Sequence, residues 1–102
     1  MLDGTILASA TAAGTSARGV LRLSGPDSIA AVGNLAPQAG LLESCEGFEG
    51  VGLDLQVDEL LLRCWVIAYR ASRSYTCEDM VEIHLPGSLP LMGLVARRLA
   101  LE

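Results

Sequence analysis

Aromatic and charged side chains are scarce in this sequence of 102 residues. Aromatic residues make up 4% and charged residues 19%, whereas hydrophobic residues make up 51%. A core must therefore be built from Leu, Val, Ile and Ala, and the composition is that of a globular domain rather than a disordered chain. We expect one domain over residues 1–102. We also expect it to be a fragment of a longer protein, because the last helical pattern has no stop signal at Glu102.

Positive charge is particularly sparse. Seven Lys and Arg residues stand against twelve Asp and Glu residues, so the formal net charge is -5. This balance argues against a broad phosphate-binding surface, and a nucleic acid partner would have to be held by another part of a larger protein. The longest apolar run, residues 89–96, is far shorter than the ~20 residues of a membrane span, and no signal-peptide pattern is present. We expect a cytoplasmic protein.

The three cysteines do not form a recognisable metal or redox motif. Cys45, Cys64 and Cys77 are odd in number and too far apart for a C-x-x-C pair, so we expect reduced thiols. A metal site at Cys77 and His84, or a Cys77–His84 nucleophile pair, is a weak alternative, because the chain has a single histidine and nothing shown to activate the thiol. For this reason we expect no metal on this chain. Phosphate-loop and dinucleotide motifs are absent from the sequence, so we expect no GTP either.

The order of the local patterns predicts the fold class. Turn residues and hydrophobic periodicity predict strands at 5–11, 19–25, 51–57, 59–70 and 78–85 and helices at 24–37 and 87–102. This order favours an α+β domain in which a mixed or antiparallel sheet of about five strands is covered by two or three helices. Residues 56–59, QVDE, are the candidate turn between the third and fourth strands.

Both helix predictions rest on residues that commonly start or stop a helix and on the spacing of apolar residues. The first helix would be capped by Ser24 or Gly25, with Pro26 in its first turn and Pro37 as its stop. Its sheet-facing residues would be Ile29, Val32 and Ala36. The second helix would be capped by Ser88, with Leu91, Leu94, Val95 and Leu99 on its buried face.

Residues 74–88, SYTCEDMVEIHLPGS, concentrate most of the polar chemistry. Alternation along the strand sends Val81, Ile83 and Leu85 to one face and Met80, Glu82 and His84 to the other. Glu82 and His84 would then be same-face neighbours about 7 Å apart along the strand. Such a pair either binds a polar ligand or belongs to a solvated strand face, and residue types alone favour the second interpretation.

Arg22 is a further charged residue that lies within a predicted strand next to an apolar run. Leu21 and Leu23 would point to one face and Arg22 to the other. One interpretation is a surface salt bridge, to Glu82 or to another carboxylate, which would contribute little to stability. The other is an anchor for an anionic or carbonyl-bearing ligand, for which the planar guanidinium group gives directionality.

Two segments together resemble a known family. Residues 5–29, TILASATAAGTSARGVLRLSGPDSI, resemble the start of the tRNA-modifying GTPases called MnmE or TrmE, which open with a strand, a glycine-rich loop and an R-I-S-G strand. Residues 71–88, ASRSYTCEDMVEIHLPGS, resemble the family stretch N-S-Y-T-G-E-D-V-V-E-I and the turn that follows it. The two segments occur in the family's order and at nearly its separation.

The resemblance implies a fold, a cofactor and partners. The chain would be the N-terminal domain, similar to the folate-binding domain of the glycine-cleavage T protein, and would bind a 5-formyl-tetrahydrofolate type of cofactor and form a homodimer. The full-length family acts with the flavoprotein MnmG on the wobble uridine of tRNA. Arg22 and Glu82 match the family's cofactor-binding positions, and the resemblance implies no catalytic residue here. A carboxylate such as Glu82 can accept the exocyclic amine and the ring N–H of a pterin together.

The sequence also departs from the family pattern. The glycine-rich loop is AAGTSARG at residues 12–19, where Arg18 is a candidate for a displaced loop arginine, and the turn at 86–89 is PGSL. Cys77 replaces a glycine of the family motif. A family lysine, a further strand and the GTPase domain would lie beyond Glu102. Two alternatives therefore remain: a cofactor-free dimerisation or interaction module with the same fold, and a stand-alone domain related to aminomethyltransferases.

Overall fold

Five strands and two helices lie within the residues that the computed structural model describes, which are 6–9, 18–36, 48–70, 78–86 and 89–100. The elements are β1 Ile6–Ser9, β2 Arg18–Ser24, α1 Ser28–Gly33, β3 Phe48–Val57, β4 Leu60–Tyr69, β5 Met80–Pro86 and α2 Leu89–Ala100. The α+β class predicted from the sequence is confirmed, and every strand pairing is antiparallel.

The last strand in the sequence occupies the centre of the sheet. The strand order is β1-β2-β5-β4-β3, so β5 pairs with β2 on one side and with β4 on the other. The four long strands β2 to β5 form the body of the sheet, and the four-residue β1 extends it along β2. In this register Glu82 lies opposite Arg22 on β2 and opposite Ile67 on β4.

One face of the sheet packs against both helices. Alternate strand residues join helix residues in a single buried hydrophobic cluster, in which the sheet contributes Leu21, Leu23, Leu53, Leu55, Val57, Cys64, Val66, Ala68, Val81, Ile83 and Leu85. The predicted inward alternation is therefore confirmed. The opposite face, called the outer face below, contributes no residue to this cluster and includes Arg22, Glu82, His84 and Trp65. Met80 alternates with the outer-face residues, but it is fully buried rather than solvated.

Helix α1 begins later than the sequence predicts. The predicted cap at Ser24 or Gly25 is wrong, because the Gly25 amide still donates to the Asp79 carbonyl oxygen, at 2.8 Å, and so continues the strand. Gly25 has a φ of 142°, a conformation that favours glycine, and a turn follows before the helix starts at Ser28. The Ser28 hydroxyl closes this turn by donating to the Gly25 carbonyl oxygen at 2.9 Å. The predicted buried residues Ile29, Val32 and Ala36 are confirmed, and Pro37 lies outside the described residues.

Helix α2 is rotated relative to the prediction. Its fully packed residues are Met92, Val95 and Leu99, at the spacing of one helical face. Leu94 packs only partly against the core and Leu91 does not join it, so the predicted burial of Leu91 is wrong. The run 89–96 is almost wholly apolar, and periodicity therefore does not single out one face. The predicted cap, Ser88, lies outside the described residues.

The β3–β4 connection is a tight hairpin, as the sequence predicts. Val57 pairs directly with Leu60, and Asp58 adopts a φ of 53°, which Asp tolerates better than most residues. The Gln56 side-chain amide donates to the Asp58 carbonyl oxygen at 2.8 Å and braces the turn. Neither helix among the described residues has the length and apolar character needed to cross a membrane.

Removing core volume from β3 is expected to destabilise the domain. Leu53 is fully buried, so Leu53→Ala should lower the free energy of unfolding by about 2–5 kcal/mol through lost burial and a residual cavity. Leu61→Ala is the matched control, because Leu61 is 57% exposed on the neighbouring strand and its truncation should change stability by less than about 0.5 kcal/mol. Urea unfolding followed by circular dichroism measures both, and equal effects would contradict the assignment of the core.

Candidate functional site

Arg22 and Glu82 meet on the outer face although sixty residues separate them in the sequence. Their strands β2 and β5 pair so that the two residues lie directly opposite each other. Arg22 Nε donates to Glu82 Oε2 at 2.9 Å, and Arg22 Nη2 donates to the same oxygen. The guanidinium group therefore donates two N–H groups to one oxygen of the carboxylate. The second oxygen, Oε1, is left to other partners.

Two further side chains surround the second oxygen. The Tyr69 hydroxyl donates to Glu82 Oε1 at 3.3 Å, and His84 Nε2 lies 3.5 Å from the same atom. Both distances are long for a hydrogen bond to a carboxylate, which is usually shorter than 3 Å. Oε1 is therefore the less firmly held oxygen of Glu82. The Glu82 side chain is only 12% exposed, whereas that of Arg22 is 35% exposed.

The surroundings of Glu82 keep its carboxylate ionised. Burial by itself would raise the pKa of Glu82, but the hydrogen bonds and charge of Arg22, together with His84 and Tyr69, outweigh it and hold the pKa below its ordinary value of 4.5. At neutral pH the group is thus a hydrogen-bond acceptor only, and it carries a full negative charge. This is the state needed to receive N–H donors of a ligand.

His84 lies beside Glu82, as the strand alternation predicts. Its Nε2 atom is buried, and it makes no well-formed hydrogen bond within the part of the chain that the structure describes. A buried ring nitrogen without a hydrogen bond is uncommon, since leaving such a group unsatisfied costs about 1–3 kcal/mol. The nitrogen adjoins Oε1, at 3.5 Å.

Tyr69 is the functional candidate that the sequence analysis missed. It is the last residue of β4, and β5 brings Met80 opposite it, so Glu82 lies one diagonal step away. The available signal was its alternation with Trp65 and Ile67, which places Tyr69 on the outer face once the strand is assigned. The contact with Glu82 depends on the strand order, which alternation does not reveal.

The other carboxylates of the 74–88 stretch have separate partners. Glu78 is exposed and accepts a hydrogen bond from the Ser24 hydroxyl at 3.3 Å, and Asp79 lies 3.4 Å from the Arg70 guanidinium. Within the described residues no three His, Cys, Asp or Glu side chains gather as a metal site would require. Cys77, the partner in the metal and nucleophile alternatives, lies outside those residues, as do residues 12–17 of the loop and 87–88 of the turn.

Cys64 is the one cysteine that the structure describes. It belongs to the core beneath the sheet, and burial, reinforced by the charge of Asp54, raises its pKa to about 11. A thiol with such a pKa is protonated at neutral pH and is a poor nucleophile. Cys64 therefore contributes packing rather than chemistry.

The sequence of this chain matches a known class of domain. A family model described as the N-terminus of the GTP-binding protein TrmE matches residues 5–102. Because the match covers nearly the whole chain, the chain belongs to this family, as the resemblance of its two segments implies.

Named relatives agree with this assignment. A tRNA modification GTPase MnmE from Jannaschia sp. (strain CCS1) is 36% identical over 91 residues, which cover 89% of this chain and 21% of the relative. The protein of the same name from Legionella pneumophila (strain Corby) is 32% identical over 97 residues, which cover 91% of this chain and 20% of the relative. The chain thus spans about a fifth of the length of these relatives.

The Glu82 contribution to stability is expected to disappear in acid. Because the folded pKa of Glu82 lies below its value in the unfolded chain, the stabilisation is complete above pH 4.5 and is lost as the pH falls through the folded pKa. Glu82→Gln should therefore be less stable than the parent chain at neutral pH, and the difference should shrink in acid. Urea unfolding between about pH 7 and about pH 3 measures this change.

Glu59→Gln is the control for this comparison, because Glu59 is an exposed carboxylate at the β3–β4 hairpin. This variant should follow the acid dependence of the parent chain. A gap between Glu82→Gln and the parent chain that stays constant with pH would show that the carboxylate gains nothing from its neighbours.

Proposed function

We propose that this chain is the folate-binding N-terminal domain of a tRNA modification GTPase and binds a 5-formyl-tetrahydrofolate type of one-carbon donor. The observation that carries the proposal is the contact between Arg22 and Glu82 on the outer face, where Glu82 is held ionised. These are the two residues that match the family's cofactor-binding positions. Membership of the TrmE N-terminal family and the α+β fold support the same proposal. The proposal includes a fold like that of the glycine-cleavage T protein's folate domain.

The chemistry of the site suits one edge of a reduced pterin. That edge presents an exocyclic amine and a ring N–H side by side, and an ionised carboxylate accepts both. Glu82 Oε1 is the better placed oxygen for the first contact, because its present partners lie at 3.3 and 3.5 Å.

A two-point contact requires part of the ion pair to open. Arg22 now directs two N–H groups at Oε2, so one of them must leave if a ligand N–H is to reach that oxygen. Arg22 is the more exposed partner, and its guanidinium group has five N–H donors, so it can keep one bond to Glu82 and turn another toward a ligand carbonyl. Ligand binding would thus exchange contacts within the site without leaving Glu82 buried and unpaired.

The proposal extends to the protein of which such a domain forms part. The relatives are called tRNA modification GTPases, and this chain spans only about a fifth of their length. In such a protein the domain would hold the one-carbon donor and mediate homodimerisation. GTP hydrolysis and contact with tRNA and an MnmG-like flavoprotein would fall to other domains during wobble-uridine modification. The net charge of -5 agrees with tRNA contact elsewhere.

Titration calorimetry with 5-formyl-tetrahydrofolate tests the cofactor directly. We expect measurable binding by the parent chain and affinity about 10- to 100-fold weaker for Glu82→Gln, which corresponds to ~1.5–3 kcal/mol for a lost charge-assisted pair. Arg22→Lys should also weaken binding, because it keeps the charge but loses the planar pair of donors.

Glu59→Gln again controls for the loss of one negative charge and should bind like the parent chain. Circular dichroism of each variant checks that the fold is retained. Heat of binding that is identical in the parent chain and Glu82→Gln would refute the role of Glu82, and heat that is absent from both would refute the assignment of the cofactor.

A cofactor-free dimerisation or interaction module is the second candidate. The observation that favours it is that both oxygens of Glu82 already have partners from the chain itself, so the carboxylate is satisfied without a ligand. The altered sequence at residues 12–19 and 86–89 points in the same direction. Absence of folate binding together with a stable dimer would support this candidate.

Homodimerisation has its own test. Light scattering at micromolar concentration should give about twice the 10.7 kDa mass of one chain. A mass that stays at one chain throughout a concentration series would contradict this part of the proposal.

A further inference from the structure

Trp65 is an exposed aromatic residue on the same face as Glu82. It lies on β4 directly opposite His84, and 47% of it is exposed. Most aromatic rings pack into a core, and this chain has only four aromatic residues, of which Trp65 is the sole tryptophan. A solvent-facing indole on the same sheet face as the proposed ligand-binding carboxylate therefore needs an explanation.

The indole is seated over a glycine of the edge strand. A Cβ atom built on Gly50 would come within 2.6 Å of Trp65 Cζ2 and 3.0 Å of Cε2, so the ring occupies the space that any other side chain would fill. Gly50 lies opposite Ile67, and Ile67 lies opposite Glu82. Gly50, Ile67 and Glu82 therefore form one row of paired residues across the sheet. The backbone of Trp65 lies in the neighbouring row, but its ring lies over Gly50, at the far end of the row that contains Glu82.

This arrangement forms a surface that is charged at one end and aromatic at the other. Two strand spacings of ~4.8 Å separate Gly50 from Glu82, so the backbone beneath the indole lies about 10 Å from the backbone of Glu82. Ile67, which is partly buried, forms the floor between them. A ligand held at Glu82 by a polar edge would extend across an aliphatic floor and meet a flat ring.

We propose that Trp65 is a second ring-binding residue of this site, whose indole stacks on the aminobenzoyl ring of a folate while Glu82 holds the pterin edge. This inference rests on the proposed function. A folate joins its pterin and its aminobenzoyl ring through a short methylene–amino bridge, so a ligand fixed at one end presents a second flat ring at the other. Aromatic rings attract each other in offset or edge-to-face geometry beyond the area that they bury. Gly50 keeps the indole in place by leaving room for it.

Two probes separate the roles of Trp65 and Glu82. The first probe is 5-formyl-tetrahydrofolate, and the second is 6-methyltetrahydropterin, which keeps the pterin edge but lacks the aminobenzoyl ring. Trp65→Ala should bind the folate about tenfold more weakly and bind the pterin with unchanged affinity. Trp65→Phe should recover most of the loss, and Glu82→Gln should weaken binding of both probes. Leu61→Ala, which removes another exposed apolar side chain from β4, should bind both like the parent chain.

The emission of the single tryptophan gives a second measurement. Folate binding should quench or shift the fluorescence of the parent chain, and the pterin probe should have a much smaller effect. Gly50→Ala displaces the indole without removing it, so this variant should lose folate affinity as Trp65→Ala does. It also serves if Trp65→Ala fails to fold.

The outcomes distinguish the role of Trp65 from folate binding by the chain. If Trp65→Ala and Gly50→Ala bind folate like the parent chain while Glu82→Gln does not, the role of Trp65 is refuted and the folate site stands. If the parent chain binds neither probe, the proposed function fails and the inference fails with it. If Trp65→Ala weakens both probes equally, Trp65 is not a contact of the aminobenzoyl ring, and the inference is again refuted.

Discussion

The pairing of β5 with β2 and β4 is the constraint on which the rest of the structure depends. Val81, Ile83 and Leu85 face the helices, and this burial sends Glu82 and His84 to the outer face. Leu21 and Leu23 constrain Arg22 in the same way. Each buried aliphatic side chain contributes ~1.5–3 kcal/mol, whereas the gain from a half-buried ion pair is offset by the hydration that its charges lose. A slip of one residue would turn every leucine outward, so the core fixes the register and the Arg22–Glu82 contact follows from it.

If the core fixes the register, the charges at this position are not needed for the fold. Two apolar residues opposite each other would stabilise a sheet face as well as a half-buried ion pair, and often better, because removing charges from water has a cost. Glu82 is the more buried partner and loses the more hydration. A carboxylate maintained under these conditions, with its pKa lowered and three donor atoms bonded to it, supports the proposed binding role.

The sequence predicts the parts of this structure that depend on neighbouring residues. Alternation along 80–85 predicts the orientation of Glu82 and His84, and the turn at 56–59 predicts the hairpin, because both are local properties. The start of α1 could not be predicted, since it depends on a hydrogen bond from Gly25 to the distant Asp79. The contact of Tyr69 with Glu82 is likewise non-local. The face of α2 was ambiguous because almost every position near Met92 is apolar.

The layout of the outer face also bears on the choice between a small ligand and a protein partner. Cores of protein interfaces are depleted in charged residues. A protein partner docked over the Arg22–Glu82 pair would remove the water that still hydrates the two charges without replacing its hydrogen bonds. A small ligand with N–H donors replaces those contacts at Oε1 and does not need to cover the whole face. The path from a carboxylate through Ile67 to the Trp65 indole is short and changes from polar to aromatic along a single row. Such a gradient matches a molecule with one hydrogen-bonding ring and one apolar ring better than it matches a broad protein surface.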